Sequence, residues 1–423
     1  MTTLIPAWGA ILGLAIAIVL ILRKFSPAYS LVIGAFIGGA VSVWDVGLVV
    51  NEMISGVKDL SPAILRVLTA GILAGALIKT HAATRIALTI TRKLGANNAL
   101  LALICATLIL TVSGVFIDVA VLTVAPIALE VARKSSLGGM TTLLALIGGG
   151  KSGNIISPNP NTIAAASNYG VPDSLSSVMA VNIPAAIVGI IATLVIVKYM
   201  PFKEPPLADV EEKLYKEKDL PKFRAAILGP VVAIALLFLR PVTGFAIDPM
   251  IALPVGGFVC GVATGNFRHF KDHAQYGLEK MMGVCVLLIG TGTIAGIIKA
   301  STLKDVLLKS LDYMGISDVY IAPISGILMS GATASTTAGA TIASATFAGA
   351  VKAAGVSAVW GAALTNVGAT VLDHLPHGSF FHVTGGAVEM KISNRLKLIP
   401  YETLIGGIMT GTATFAYHIS LMI

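Results

Sequence analysis

The sequence predicts an all-α polytopic membrane protein built from two inverted repeats, each holding a re-entrant hairpin and a discontinuous transmembrane helix. Three observations carry this. The chain is apolar and poor in charge, a polar stretch rich in glycine and proline interrupts it at 148–167 and again more weakly in the second half, and its lysines and arginines fall mostly on one side. Of 423 residues, 56% are hydrophobic and 12% charged, and mean hydropathy is +0.88, whereas soluble domains carry roughly a quarter charged residues. Apolar runs at 10–22, 31–50, 64–78, 99–111, 181–197, 225–239, 251–262, 282–298 and 404–416 are candidate spans. The first lacks a basic leader and reads as a retained helix. Cys105, Cys260 and Cys285 sit within apolar runs and imply neither a disulfide framework nor a metal site. A formal charge of +8 could suggest nucleic acid, but the basic residues are dispersed at helix ends, so membrane orientation explains them better.

Alternating the helices from an outside N-terminus puts nearly all loop cations, from Arg23 and Lys24 through Arg395 and Lys397, on one side. The positive-inside rule makes that side cytoplasmic. The alternation works only if 99–132, flanked at both ends by basic pairs, enters and leaves by the same side as a hairpin with a polar tip at 111–118. A charged, proline-containing linker then divides the chain into an N-terminal half (1–200), the linker itself (201–223) and a C-terminal half (224–423). The halves repeat at nearly constant offset. GALIK at 75–79 resembles AGIIK at 295–299, Ser113-Gly114 matches Ser330-Gly331, and Pro160 matches Pro376. A second hairpin is expected at 322–350, opening to the opposite side. Inverted repeats of this kind place a substrate site at the bilayer midplane.

Residue chemistry nominates the site. The stretch GGGKSGNIISPNPNTIAAAS at 148–167 cannot be a plain span, because Pro158 and Pro160 remove donors and push the residues before them out of helical conformation. Broken backbone at membrane depth is tolerated where it is buried in protein or lines a cavity. Lys151, Ser152, Asn154, Ser157, Asn159, Asn161 and Thr162 are therefore candidate ligands, since amides and hydroxyls can read a hydroxylated solute as donors and acceptors both. In the small-residue run 330–350, Ser335, Thr336 and Thr337 are expected opposite the first tip. Asp118, an ionisable group at depth, is the candidate proton carrier, joined by Asp373, His374 and His377 in the second break. No phosphate-binding loop and no nucleophile–base constellation is present, which argues against an ATP-driven pump and against an enzyme.

These motifs resemble the gluconate permease (GntP) family of the ion transporter superfamily. VFIDVAVLTVAP at 115–126 is similar to a family segment with Glu where this chain has Asp118. SPNPNTIAAA at 157–166, TTAGATIA at 336–343 (matching at Thr337 and Thr341), DHLPHGSFF at 373–381 and KLIPYETL at 397–404 follow in the family's order. Asn159 replaces a usual His, Pro376 and His377 replace Asn and Asp, and Ala334 stands where Arg is common. The resemblance implies a secondary transporter of the cell inner (plasma) membrane, importing a small hydroxylated organic acid such as gluconate with a proton. It further implies no cofactor, and a homodimer in which outer helices form a scaffold and the hairpins move. Lys151 is then either the replacement for the missing Arg or the partner of Asp118 or Asp373, and the match at Thr341 makes that threonine a further candidate ligand. Two other readings fit the residues: an H⁺ or Na⁺ exchanger or channel-like protein using Asp118 and Asp373, and a carrier of a neutral or zwitterionic solute.

Overall fold

The computed structural model describes the chain except residues 1–4, 96–97, 136, 201–216, 240–242, 246, 304–305, 307–308, 310–317, 377 and 423. Among the described residues, helices account for nearly all regular structure. In the first half, α1 (Ala7–Leu22), α2 (Pro27–Val43) and the long α3 (Val46–Lys79) are followed by α4 (Ala82–Leu94). Next come α5 (Ala99–Val112), α6 (Ile117–Lys134), α7 (Gly139–Asn154), α8 (Pro160–Asn168), α9 (Leu175–Val181) and α10 (Ile183–Tyr199). The second half runs through α11 (Phe223–Leu237), α12 (Pro249–Ala263), the long α13 (Phe270–Lys299), α14 (Ile321–Thr333), α15 (Thr336–Ala353), α16 (Ala358–Gly368), α17 (Ser379–Ala387) and α18 (Ile392–Ser420). Most of the expected linker, 201–216, and His377 lie outside the described residues.

The two expected hairpins are helix pairs. Helices α5 and α6 are joined by a turn in which Gly114 takes φ 92°, a value that glycine adopts without a Cβ clash. Helices α14 and α15 are joined at Ala334 and Ser335, with Ala334 left-handed at φ 47°. Ser330 and Gly331 therefore lie inside α14, about one turn before the bend, and do not correspond to Ser113 and Gly114, which form the bend of the first hairpin. The first discontinuous helix is α7 plus α8. Its break is shorter than the sequence suggests: the glycine triplet, Lys151, Ser152 and Asn154 all belong to α7, and only 155–159 is non-helical. Asn159 caps α8, where Pro160 occupies the first turn without losing a hydrogen bond. The second break runs from the end of α16 to α17.

Packing separates a frame from a core. Helix α3 lies along α13, α2 packs on α13, and α12 packs on α3, so the two triplets α1–α3 and α11–α13 embrace through their long members. The long helices meet backbone to backbone: a Cβ on Gly277 would lie 1.9 Å from the Gly71 carbonyl oxygen, and one on Gly56 would lie 2.1 Å from that of Gly292. Glycines give this close approach where lipid cannot drive helices together by a hydrophobic effect. Both long helices are apolar and long enough to cross a membrane. Against this frame sit the hairpins and broken helices, with α8 packed on α15 and α16, and α18 on α7 and α10.

Candidate functional site

A cavity of about 370 Å³ lies where the two hairpin tips meet the frame. Phe116, Ile117, Asp118 and Val119 of the first tip and Ala334, Ser335, Thr336 and Thr337 of the second line it, facing Gly75 and Ile78 of α3 and Gly277, Lys280 and Met281 of α13. Asp118 stands in the first turn of α6, where Oδ1 accepts from the Val119 N–H at 2.9 Å. Ser335 caps α15, its Oγ accepting from the Ala338 N–H at 3.2 Å. The amides of a helix's first turn have no intrahelical partner, so those of Thr336 and Thr337 are donors available at the tip. The cavity thus joins one carboxylate, one lysine, hydroxyls and a helix N-terminus within walls supplied by Phe116, Phe380, Val284 and Val383. Asp118 and the Ser335–Thr337 cluster, more than two hundred residues apart, were both nominated from sequence, and the fold brings them together.

Behind the second tip runs a buried ionic chain. Lys151 Nζ donates to the Thr370 carbonyl at 2.5 Å and to Asp373 Oδ1 at 2.6 Å, and lies 3.0 Å from His374 Nδ1. Of the three ammonium protons, two go to Thr370 and Asp373, and Lys151, fully buried, ties the two broken helices together. Asp373 Oδ2 accepts the Thr336 hydroxyl at 2.5 Å. His374 Nδ1 also lies 3.1 Å from Asp373 Oδ1, and its Nε2 is 3.1 Å from the Ile399 carbonyl and from Thr403 Oγ1. Glu402 Oε2 is 3.9 Å from His374 Nδ1, and Glu402 pairs with Arg395, which also donates to the Phe381 carbonyl and to Thr384. Two cations face two carboxylates, a balance that burial demands. Lys151, Asp373, His374, Arg395 and Glu402 are all at most 1% exposed.

The remaining nominated residues stitch the first break. Asn159 Nδ2 donates to Asn154 at both the carbonyl (2.7 Å) and Oδ1 (2.6 Å), while its own Oδ1 accepts from the Thr162 N–H and hydroxyl at 3.0 Å. Asn161 donates to Asn366 Oδ1 at 2.7 Å and Asn366 answers to Thr162 Oγ1 at 3.1 Å, pinning α8 to α16. Ser157 donates to the Thr111 carbonyl. Ser152 bonds back to the Gly148 carbonyl at 2.8 Å and packs at Gly189 of α10, away from the cavity. Thr341 lies buried in the middle of α15. None of these lines the cavity, so the amide cluster that invited a ligand reading is turned inward. The sequence reading missed Lys280, Asn366 and the Arg395–Glu402 pair. Arg395, counted as a loop cation, is buried in α18. A charge pair seven residues apart inside an apolar helix was the signal for Arg395–Glu402; Lys280 had none beyond its place at the start of an apolar run.

The model of the GntP family permeases matches residues 5–421. The chain belongs to the GntP permease family. It is 49% identical over 417 residues, 99% of each chain, to a protein of Haemophilus influenzae described as an uncharacterized transporter. It is 23% identical over 354 residues to the D-serine transporter DsdX of Escherichia coli K12, covering 75% of this chain and 77% of that one. The structure of the Alcanivorax borkumensis YdaH transporter, described as having an unusual topology, superposes with a TM-score of 0.63 at 15% identity, covering 97% of this chain and 98% of that one. This permease is accordingly a membrane transporter and not an enzyme, and its fold is that of a polytopic helical carrier.

Proposed function

We propose that this permease is a proton-coupled symporter of the cytoplasmic membrane that imports a small hydroxylated organic acid, gluconate or a related sugar acid, through the cavity between the hairpin tips. The observation that carries the reading is the cavity's set of charges. Asp118 and Lys280 line the same chamber from opposite walls, the hairpin and the frame. A monoanionic solute entering it adds a second negative charge beside Asp118, and like charges held close in a poorly solvated site favour uptake of a proton. One proton on Asp118 restores neutrality with Lys280 and the solute carboxylate. The free amides at the start of α15 supply the directional donors that an anion takes at a helix N-terminus, and Ser335 and Thr337 suit its hydroxyls. The hairpins would move against the α3–α13 frame within a homodimer of inverted repeats, the cavity in the present state lying at the end marked by Lys79 and therefore toward the cytoplasm.

A second reading has one observation in its favour. A carboxylate and an ammonium facing each other also complement a zwitterion, which needs no proton to be neutral, and a relative carries the name D-serine transporter. Uptake into proteoliposomes decides between them. Accumulation of labelled gluconate driven by an imposed inward pH gradient, and abolished by a protonophore, supports acid symport. Accumulation of D-serine without gluconate uptake would reject it, and sodium or proton flux without any organic solute would favour the exchanger reading.

A further inference from the structure

Thr336 occupies a position that the ionic chain makes chemically one-sided. It lines the cavity, yet its hydroxyl proton is committed to Asp373 Oδ2 at 2.5 Å. The other carboxylate oxygen of Asp373 takes the Lys151 ammonium at 2.6 Å. A threonine hydroxyl has one proton to donate and two lone pairs to accept with. Because both Asp373 oxygens already receive protons from neighbours, the carboxylate has none to return, and the Thr336 oxygen can turn only lone pairs to a solute. We propose that the Lys151–Asp373 pair makes Thr336 an acceptor-only contact, so that Thr336 selects solutes carrying a hydroxyl or ammonium donor over equal solutes lacking it.

The inference rests on reading the cavity as the solute site, and it gives the buried chain a role in recognition as well as in fold. A site built around a fixed polar partner rejects the analogue that cannot meet it, because the partner is left unpaired. The donor's source, hydroxyl or ammonium, is left to experiment, as both offer the same proton to the same oxygen. Ser335 and Thr337 do not share the constraint, since neither hydroxyl is bound to a carboxylate in the described structure.

The test measures binding by calorimetry on the purified, full-length permease with solute pairs differing in one donor: gluconate with 2-deoxygluconate, D-serine with 3-hydroxypropionate, and sorbitol with 2-deoxysorbitol. The pair that the wild type binds should show a preference of about tenfold or more for the donor-bearing member. Thr336→Val should bring that ratio near one, and Thr336→Ser should restore it. An unchanged ratio in Thr336→Val, or an equal loss for both members, overturns the inference and makes Thr336 structural. If Thr336→Val does not fold, Thr336→Ala removes the same oxygen with less bulk and should likewise bring the ratio near one; a retained ratio in Thr336→Ala again overturns the proposal. Binding of the sorbitol pair alone would overturn the acid-symport reading, while the ratio within that pair still decides the role of Thr336.

Discussion

Lys151 Nζ lies 2.6 Å from Asp373 Oδ1, joining the first discontinuous helix to the break of the second at a depth where both side chains are fully enclosed. Each half of the chain contributes one charge, so neither broken helix can settle without the other. The pair also fixes the second hairpin, because Asp373 holds Thr336 at the start of α15.

Removing one member should unmask the other. Lys151→Met is expected to lower the stability of the folded protein by about 3–5 kcal/mol, the scale for an uncompensated buried charge. The paired change Lys151→Met/Asp373→Asn should recover much of that loss. Thermal unfolding of the purified proteins in detergent checks both, and a single variant as stable as the double would show that the charges are not coupled.

Among the described residues no lysine or arginine is bonded to Asp118, which stands at the wall of the cavity between the hairpin tips. Asp118→Asn keeps the shape and removes the titratable group. Uphill uptake driven by a pH gradient should disappear, while exchange of labelled for unlabelled solute across equal pH should persist. Full uphill transport by this variant would take Asp118 out of the coupling step.

The seam between the long helices leaves no room for a side chain at its closest point. Gly277→Val should sharply reduce the yield of folded protein, since its Cβ alone would sit 1.9 Å from the Gly71 carbonyl oxygen; overpacking that the backbone cannot relieve commonly costs about 1–3 kcal/mol or more. Gly283→Ala on the same helix meets nothing within 4 Å and is the control. Size-exclusion profiles of the two proteins make the comparison.

At the edge of the frame, Asp248 caps α12 by accepting from the Met250 N–H at 2.8 Å, and it receives the Arg66 guanidinium through Nε at 3.0 Å and Nη2 at 2.7 Å. Partial burial pushes the Asp248 carboxyl up, but the Arg66 and Met250 bonds outweigh it and hold the group below the usual carboxylate range. A depressed carboxylate contributes stability above its unfolded pKa and loses it as pH falls through the folded value. Acidification below roughly pH 4 should therefore lower the melting temperature of the wild type more than that of Asp248→Asn. Equal slopes would remove this pair from the acid response.

The punctuation of the fold was legible because glycine, proline and hydroxyl clusters cannot continue an apolar helix, so both hairpins and both breaks stood out against the runs around them. Asp118 and Ser335–Thr337 were legible as tip residues for the same reason, each being polar at a bend, and they line one cavity. The amides at 154–162 are polar because a break needs partners for its freed backbone, and Asn154, Asn159, Asn161 and Thr162 supply those partners to one another. Lys151 reads as the partner either of a solute carboxylate or of Asp118 or Asp373, and it pairs with Asp373. Lys280 was illegible because its place depends on α13 and α6, far apart in sequence, lining the same cavity.

Lys280 lines the cavity, and on the acid-symport reading it is the cation that meets the solute carboxylate. Its side chain is exposed at the chamber wall, so its attraction for a bound monoanion is screened; at an effective dielectric near 20 and a separation of several ångströms, the interaction is about 1–2 kcal/mol. Lys280→Gln should therefore weaken binding of gluconate by roughly five- to thirtyfold, and Lys280→Arg should weaken it far less. A polyol of the same length has no charge for Lys280 to meet and should bind both proteins alike. In Asp118→Asn/Lys280→Gln the cavity carries neither charge, and preference should shift from the acid toward the polyol because only hydroxyls and the amides of α15 remain to recognise it. Calorimetry with gluconate and sorbitol on the four proteins reads each step. Undiminished gluconate affinity in Lys280→Gln would leave the helix N-terminus as the sole anion partner, and an equal loss for sorbitol would make the lysine a support of the cavity wall.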